Sequence, residues 1–400
     1  MINNRVLWLK VSSIAAVQGA ITLTWVIYNL YLPLLLVQFG LSKQLAISLL
    51  IGENILESVI EPVFGGLSDR HQQLFGSRVP LISIGIVLSA TLFIILPSLV
   101  IFFSPAQFSV QWLLPVLAVL WAGAMAIFRA PTMTLLRRCA PSDKLPEAAS
   151  VLTLVGGIVG AFRFDAFGAI LNLGAGFAFA LGSFSLLVAA GVLRLLNPDV
   201  LPTLEKRKLA KVSPLLLSLI FTLGVWVGWS LRFVMPAVSQ VLKFQYGEDI
   251  GKLAMTIFMV MLGLAALPAG KIATKLSNSW GMQLGSIGSV LALSCFILLP
   301  NSTLKIIALI VLIASFSLVL NGVIPFALAQ VPPERSGLGV GMYFGGLGAG
   351  FSSFDLIFAQ LNSITFETRI IGAIVSLLLV FCWLLISKKF QKPNPKQNIN

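Results

Sequence analysis

Apolar residues recur along this chain in twelve long runs, separated by short polar turns. The runs fall at approximately 11–37, 44–66, 80–103, 111–136, 148–173, 177–196, 214–242, 250–270, 282–299, 304–330, 337–361 and 369–386. Each is near the ~20 residues that a helix needs to cross the hydrocarbon core of a bilayer. The longest polar interval, NPDVLPTLEKRKLAKVS at 197–213, is rich in charge, punctuated by proline, and divides the runs six and six. The pattern predicts an all-α polytopic membrane protein. Its parts are a six-helix bundle over 1–197, a cytoplasmic linker over 198–213, a second six-helix bundle over 214–387 and a disordered cytoplasmic tail over 388–400.

The two sets of runs read as distant repeats. Run one carries Trp25, Tyr28 and Pro33, and run seven carries Trp229, Arg232 and Pro236. Run two ends PVFGGLSDR and run eight ends PAGKIATK. Run five opens on PEAAS and run eleven on PERSG, and both soon become rich in glycine. The shared order of these weak matches predicts two pseudo-symmetric halves.

One run breaks the apolar rule in a regular way. The second carries Glu53, Glu57 and Glu61, with Asn54 beside the first. Positions four apart advance only about 40° around a helix, so the glutamates form one narrow stripe. Ionised groups at mid-helix cost roughly 2.5–3.5 kcal/mol each on insertion scales. The stripe is therefore expected to face protein or a water-filled cavity. A buried carboxylate can load and release a proton near neutral pH, which is what ion coupling requires. Glu57 and Glu61 are the candidate coupling pair, with Glu53 and Asn54 nearer the midplane touching substrate or extending the relay. Arg129, at comparable depth on run four, is the candidate partner; a purely structural pairing with it is the competing explanation.

Composition narrows the class further. Hydrophobic residues make up 58% of the 400 and charged residues 10%, too little charge to cover a soluble surface. The net charge of +13 sits in short inter-helix turns and forms no patch interleaved with aromatics, so nucleic acid is not an expected partner. With the amino terminus inside, the outer turns hold only Lys43, Lys243, Lys252, Lys305 and Arg369, and the inner ones hold the rest of the loop lysines and arginines. This imbalance predicts an integral protein of the cell (inner) membrane with both termini cytoplasmic. The first run is too long for a cleavable signal. Three cysteines and one histidine suggest neither a disulfide framework nor a metal site, and no hydrolase, zinc or nucleotide motif is present. Neither an enzyme nor a bound cofactor is expected.

Other polar residues inside the runs are candidates for a substrate path. They are Gln18 and Asn29 on run one, Arg163 and Asp165 on run five, Trp229 and Arg232 on run seven, Asn321 on run ten and Asp355 on run eleven. On a continuous helix Arg163 and Asp165 stand about 200° apart and cannot share one partner. Arg232 and Asp355 lie at matching outer depth and are expected to be neighbours. Asn321, beside Gly322 and Pro325, suggests a loosened turn with free carbonyls. Each of these has a bland explanation as well, as a helix-to-helix tie or an interface anchor.

The polar turn after run two carries the most specific motif. GGLSDR at 65–70, followed by GSRVP at 76–80, resembles the signature between the second and third helices of the major facilitator superfamily. ESVIEP at 57–62 is similar to the paired acidic motif of the glycoside–pentoside–hexuronide cation symporters and related sucrose–proton symporter-like carriers. RAPTMTLL and CAP, at 129–136 and 139–141, look like their fourth-helix segment. Two departures stand out: Arg138 replaces the usual acidic residue, and run one has no mid-membrane carboxylate. The resemblance implies the major facilitator fold and an acidic pair that serves the coupling cation. It also implies a gate made by Gly65, Gly66, Asp69, Arg70 and Arg78 that latches one state of an alternating-access cycle.

The expected function is secondary active transport, with a proton or monovalent cation driving symport of a sugar or glycoside. Two different functions compete with it: a non-transporting protein of the same fold that handles or assembles pigment, and a small-molecule/proton antiporter.

Overall fold

Among the described residues, twelve long helices follow the twelve apolar runs. The computed structural model describes residues 5–103, 111–164, 167–197, 210–358 and 364–390. In the first half α1 spans Trp8–Gln38, α2 Lys43–Phe75, α3 Val79–Phe102, α4 Leu113–Thr134, α5 Leu145–Ala161 and α6 Ala175–Leu196. In the second, α7 spans Pro214–Tyr246, α8 Glu248–Leu276, α9 Asn278–Leu298, α10 Ser302–Gln330, α11 Ser336–Phe358 and α12 Phe366–Phe390. Ten of these, all except α2 and α11, are long and apolar enough to cross a membrane. α2 falls short because its carboxylates and polar end lower its hydropathy, and α11 because glycine and serine dilute its apolar residues.

Those two exceptional helices hold the halves together. α2 packs along α11, and α5 packs along α8, forming two seams that exchanging the halves would interconvert. Both depend on small residues, which let backbones approach. A methyl group on Gly65 or Gly337 would overlap the other's carbonyl oxygen, and one on Gly157 would lie 2.7 Å from the Gly263 Cα. Within the first half α1 rests on α5 and α6, and α4 on α2 and α3. Within the second, α7 rests on α11 and α12, and α10 on α9 and α8. Each half keeps a buried aromatic core, with Phe93, Trp121 and Phe179 in the first and Phe233, Phe258 and Phe316 in the second.

Three boundaries differ from the sequence expectation. Run five is not one helix to residue 173: α5 stops at Ala161, residues 162–164 turn, and a short helix Phe167–Asn172 follows. Arg163 belongs to that turn and not to a continuous helix. The 200° separation expected for a continuous helix therefore does not apply; Asp165 itself lies outside the described residues. α5 begins earlier than expected, at Leu145, because Pro146 in the first turn gives up an N–H that has no helical partner. α12 runs on to Phe390, past the expected boundary at 387. Most of the linker (198–209) and tail (391–400) also lie outside the described residues.

The turn after α2 is built for a sharp reversal. Gly76 takes a left-handed conformation at φ 77° and its N–H bonds the Gln72 carbonyl. Such a φ is costly for any residue with a Cβ. Pro80 then sits in the first turn of α3. The reversal returns Arg78 beneath the end of α2, within reach of Asp69.

Candidate functional site

The glutamate stripe faces inward. Glu53, Glu57 and Glu61 are 1%, 4% and 0% exposed, whereas Ile55, Val59 and Val63 on the opposite face are exposed. Arg129 of α4 spans two of the carboxyls: its Nη2 donates to Glu57 Oε2 at 2.8 Å and its Nε to Glu61 Oε1 at 2.6 Å. The guanidinium also lies over the Phe344 ring of α11, 4.7 Å from its centroid, so the cluster abuts the second half. Glu61 supplies a second contact there, because Gly341 packs against its backbone carbonyl. Glu53 stands apart from the arginine and accepts a hydrogen bond from the Tyr28 hydroxyl of α1.

Two carboxyl groups thus share one guanidinium, which can neutralise one negative charge, and a third carboxyl lies one turn further along the same face. One oxygen of each carboxyl, Glu53 Oε2, Glu57 Oε1 and Glu61 Oε2, is buried with no hydrogen-bond partner among the described residues. Leaving such acceptors unpaired is expensive, and a proton on a carboxyl would relieve that cost. Trp121 packs on Trp25, Tyr28 and Phe93 at centroid distances of 4.9, 4.3 and 5.0 Å, which fixes the tyrosine on Glu53. The sequence pattern did not assign Tyr28, Trp121 or Phe344 to this cluster. The three-residue spacing of Trp25 and Tyr28 marks one face of α1 but does not say what that face meets.

At the end of α2 that carries Asp69, the halves are tied by side chains. Arg78 Nη2 donates to Asp69 Oδ1 at 2.5 Å and its Nη1 donates to Thr134 Oγ1 at 2.5 Å. Asp69 crosses the seam as well: its Oδ1 accepts from the Gly337 N–H at 2.8 Å and its Oδ2 from the Leu338 N–H at 2.9 Å. It therefore caps the first turn of α11, where unpaired N–H groups and the helix dipole favour an anion. Arg137 reaches the second half too, donating to the Leu328 and Val331 carbonyls at 2.6 and 3.1 Å. Gly66 packs near Leu338, while Arg70 is exposed and takes no part in these ties among the described residues. His71 bonds the Ser77 carbonyl through Nδ1 at 2.7 Å and stacks on Phe75.

Asn321 belongs to this closed region and not to an opening. It is 1% exposed, its Nδ2 donates to the Pro146 carbonyl at 3.0 Å, and Thr153 Oγ1 donates to its Oδ1 at 3.3 Å. Two of the four hydrogen-bonding positions of the amide are used in this tie, which joins α10 to α5 in this conformation. The neighbouring Gly322 carbonyl is also taken, accepting from Asn278 Nδ2 at 2.8 Å.

The opposite end holds the remaining candidates. Arg232 Nη2 and Asp355 Oδ2 meet at 2.6 Å, as matching depth had suggested, with the arginine stacked on Phe351. Trp229 Nε1 donates to Ser353 Oγ at 3.0 Å. Asn29 and Arg163 line a cavity of about 160 Å³ together with Val26, Leu30 and Phe162. Asn29 and Asn54 each bond a carbonyl of their own helix, Trp25 and Leu50 respectively, and Gln18 bonds Thr22 at 3.3 Å. Among the described residues no group of three or more His, Cys, Asp or Glu side chains could hold a metal ion.

Comparison with known proteins agrees with this architecture. The family profile described as Major Facilitator Superfamily matches residues 219–400. No curated protein sequence matches the chain. Among solved structures, a bacterial homologue of the iron transporter ferroportin in the outward-facing state is 14% identical, with a TM-score of 0.70 over 95% of this chain and 99% of its own. The transporter FucP in the outward conformation is 12% identical, with a TM-score of 0.68 over 96% of this chain and 99% of its own. The proton:xylose symporter XylE is 13% identical, with a TM-score of 0.64 over 96% of both chains. The chain has the major facilitator fold and is an integral membrane protein. The matched family and these neighbours are transporters, not enzymes.

Proposed function

We propose that this protein is a secondary active carrier that couples a proton, or another monovalent cation, to symport of a sugar or glycoside by alternating access. The observation that carries the reading is the Arg129 clamp on Glu57 and Glu61: an ion pair with surplus carboxyl oxygens, buried against the seam between two halves. A cation-coupled switch needs a charge that changes partners between states. Protonating Glu57 or Glu61 releases one arm of Arg129, and the freed guanidinium lies beside Phe344 of the other half. Coupling and helix packing then share one contact. Glu53 and Tyr28 extend the carboxyl row toward the end of the molecule where Asn29 and Arg163 line the cavity.

In this reading the bundles 1–197 and 214–387 rock about the α2/α11 and α5/α8 seams, with 198–213 as the cytoplasmic tether. The Asp69 end is cytoplasmic and latched, and the opposite end is open to the outside. Gly65, Gly66, Asp69 and Arg78 form the latch. Gln18, Asn29, Asn54, Arg163, Trp229, Arg232 and Asp355 surround the substrate path, with Asp165 as a further candidate outside the described residues. A sugar is taken as the ligand on the acidic motif at 57–62 that resembles the sugar symporters; XylE, of the same fold, is a proton:xylose symporter by name. The test is uptake of labelled sugars into proteoliposomes under an inward proton gradient, with wild-type protein and Glu57→Gln. Gradient-driven accumulation is expected for the wild type and only equilibration for the variant. Undiminished accumulation by Glu57→Gln would remove the clamp from coupling.

A further inference from the structure

On the side that carries Asp69, the second half ends in cations with no carboxylate beside them. α9 packs on α8, α10 and α12. At this end the four helices carry Lys271, Lys275, Lys388 and Lys389; their acidic residues, Glu248, Asp249 and Glu367, all stand at the other end. Lys388, in the last turn of α12, is half-buried and folds back onto α9. Its Nζ donates to Gln283 Oε1 at 2.9 Å and lies 4.1 Å from the centroid of the Trp280 ring. Among the described residues it makes no ion pair. Lys389 beside it is exposed. Gln283 is 2% exposed, and its Nε2 is buried with no partner among the described residues. Trp280 lies in the first turn of α9, whose N-cap, Ser277, makes no side-chain cap bond. The N–H groups of that turn are left for another acceptor.

An ammonium, a carboxamide and a helix N-terminus thus offer donors at one place. A phosphate, with a negative charge and several oxygens, satisfies all three. The surroundings say what carries it. Trp280 is 54% exposed, and Leu284 and Leu291 continue from it as an exposed apolar stripe along α9, four and seven residues apart. An aromatic ring at the end of such a stripe marks the headgroup level of a bilayer. The phosphate then belongs to a lipid whose chain lies along Leu284 and Leu291. A choline or ethanolamine headgroup would bring its own cation among lysines with no carboxylate to receive it, and the Trp280 face is already taken by Lys388. A headgroup of net negative charge fits the lysines instead.

We propose that an anionic phospholipid of the adjoining leaflet, of the phosphatidylglycerol type, seats its phosphate on Lys388 at the junction of α9 and α12, beside Gln283 and the first turn of α9. The site lies outside the two seams and the glutamate cluster, and it does not depend on the carrier reading. The bound headgroup ties the end of α12 to α9.

The test is native mass spectrometry of the purified full-length protein, released from micelles doped with equal amounts of phosphatidylglycerol and phosphatidylcholine of the same acyl chains. The wild type is expected to retain phosphatidylglycerol at least several-fold over phosphatidylcholine. Lys388→Gln is expected to remove most of that preference, and Lys389→Gln, with the same loss of charge, to leave it intact. Inorganic phosphate and glycerol phosphate, at matched ionic strength, are expected not to displace the lipid. Acylation of wild-type lysines by a succinimidyl ester, mapped by mass spectrometry, needs no variant and decides the matter should Lys388→Gln fail to fold. Phosphatidylglycerol is expected to slow modification of Lys388 several-fold and that of Lys389 little. The inference is overturned if the two lipids are retained equally, or if Lys388 gains no protection. Equal losses in the two variants would overturn it too, reducing the effect to general attraction between a basic surface and an anionic bilayer. Displacement by free phosphate would overturn the lipid as the source of the phosphate.

Discussion

Asp69 of α2 and Gly337 of α11 are joined across the seam between the halves, the carboxylate accepting the backbone N–H at 2.8 Å. The same carboxylate is paired with Arg78 inside its own half, so one side chain holds a turn together and latches the two halves. Asp69→Asn removes the charge but keeps the shape. It leaves Arg78, 3% exposed, without its counter-charge. It also presents an amide NH₂ where an acceptor for Gly337 or Leu338 is needed. Removing one member of a buried pair costs about 3–5 kcal/mol. A clear fall in the thermal midpoint in detergent is expected, together with partial recovery in the double variant Asp69→Asn, Arg78→Gln.

The latch also depends on close backbone approach. A methyl group at Gly65 overlaps the Gly337 carbonyl oxygen, and both neighbours are main chain and cannot swing aside. Gly65→Ala is therefore expected to disfavour the closed seam while leaving each half folded. Thiol labelling gives the readout. Thr153 faces Asn321 across the α5/α10 contact at the same closed end. Thr153→Cys is expected to react slowly with maleimide in the wild-type background and at least several-fold faster beside Gly65→Ala. Equal rates would mean that the seam tolerates the methyl group.

Arg129 offers a sharper distinction between charge and geometry. Its Nε and Nη2 reach Glu61 and Glu57 at once, which needs the planar fork of a guanidinium. Lysine keeps the charge but is a single point that can serve one carboxylate well. Arg129→Lys is expected to lose about 1–3 kcal/mol, the cost of one buried acceptor left unpaired. Its uptake under a proton gradient should fall much further than its thermal midpoint would suggest. Activity equal to wild type would show that charge alone suffices.

The twelve helices, the division into halves and the inward turn of the glutamates were all legible from the chain. Each is fixed by a local quantity: the length of an apolar run, the break at 197–213, or the cost of a carboxylate in lipid. Residues whose role depends on an unrelated helix were harder. Asn321 reads as a polar group in an apolar run, and only the placement of α5 against α10 shows that its amide meets Pro146 and Thr153. Tyr28 was one aromatic among several until α2 brought Glu53 to its hydroxyl. Arg163 misled for a different reason. The helical phase assumed for run five ends at Ala161, so an angle drawn between 163 and 165 had no helix to refer to. Arg232 and Asp355 succeeded because depth alone predicts contact when both sit near the same end of helices that pack together.

That last pair supports a reciprocal test. The two side chains meet at 2.6 Å but are 39% and 20% exposed, so the pair is partly solvated and worth little as a bond, about 1 kcal/mol or less. Their importance, if the substrate path passes here, lies in orientation. Asp355 holds one arm of Arg232 and leaves Nε buried without a partner among the described residues. Arg232→Asp or Asp355→Arg alone places two like charges a few ångströms apart, which is expected to splay α7 from α11 at this end and to cut uptake at least tenfold. The double exchange, Arg232→Asp with Asp355→Arg, restores attraction between the helices and is expected to restore the thermal midpoint. Uptake should not return with it, because the guanidinium would then project from α11 and not from α7. Recovery of both quantities would reduce the pair to a tie between helices. Recovery of the midpoint alone assigns Arg232 to the path.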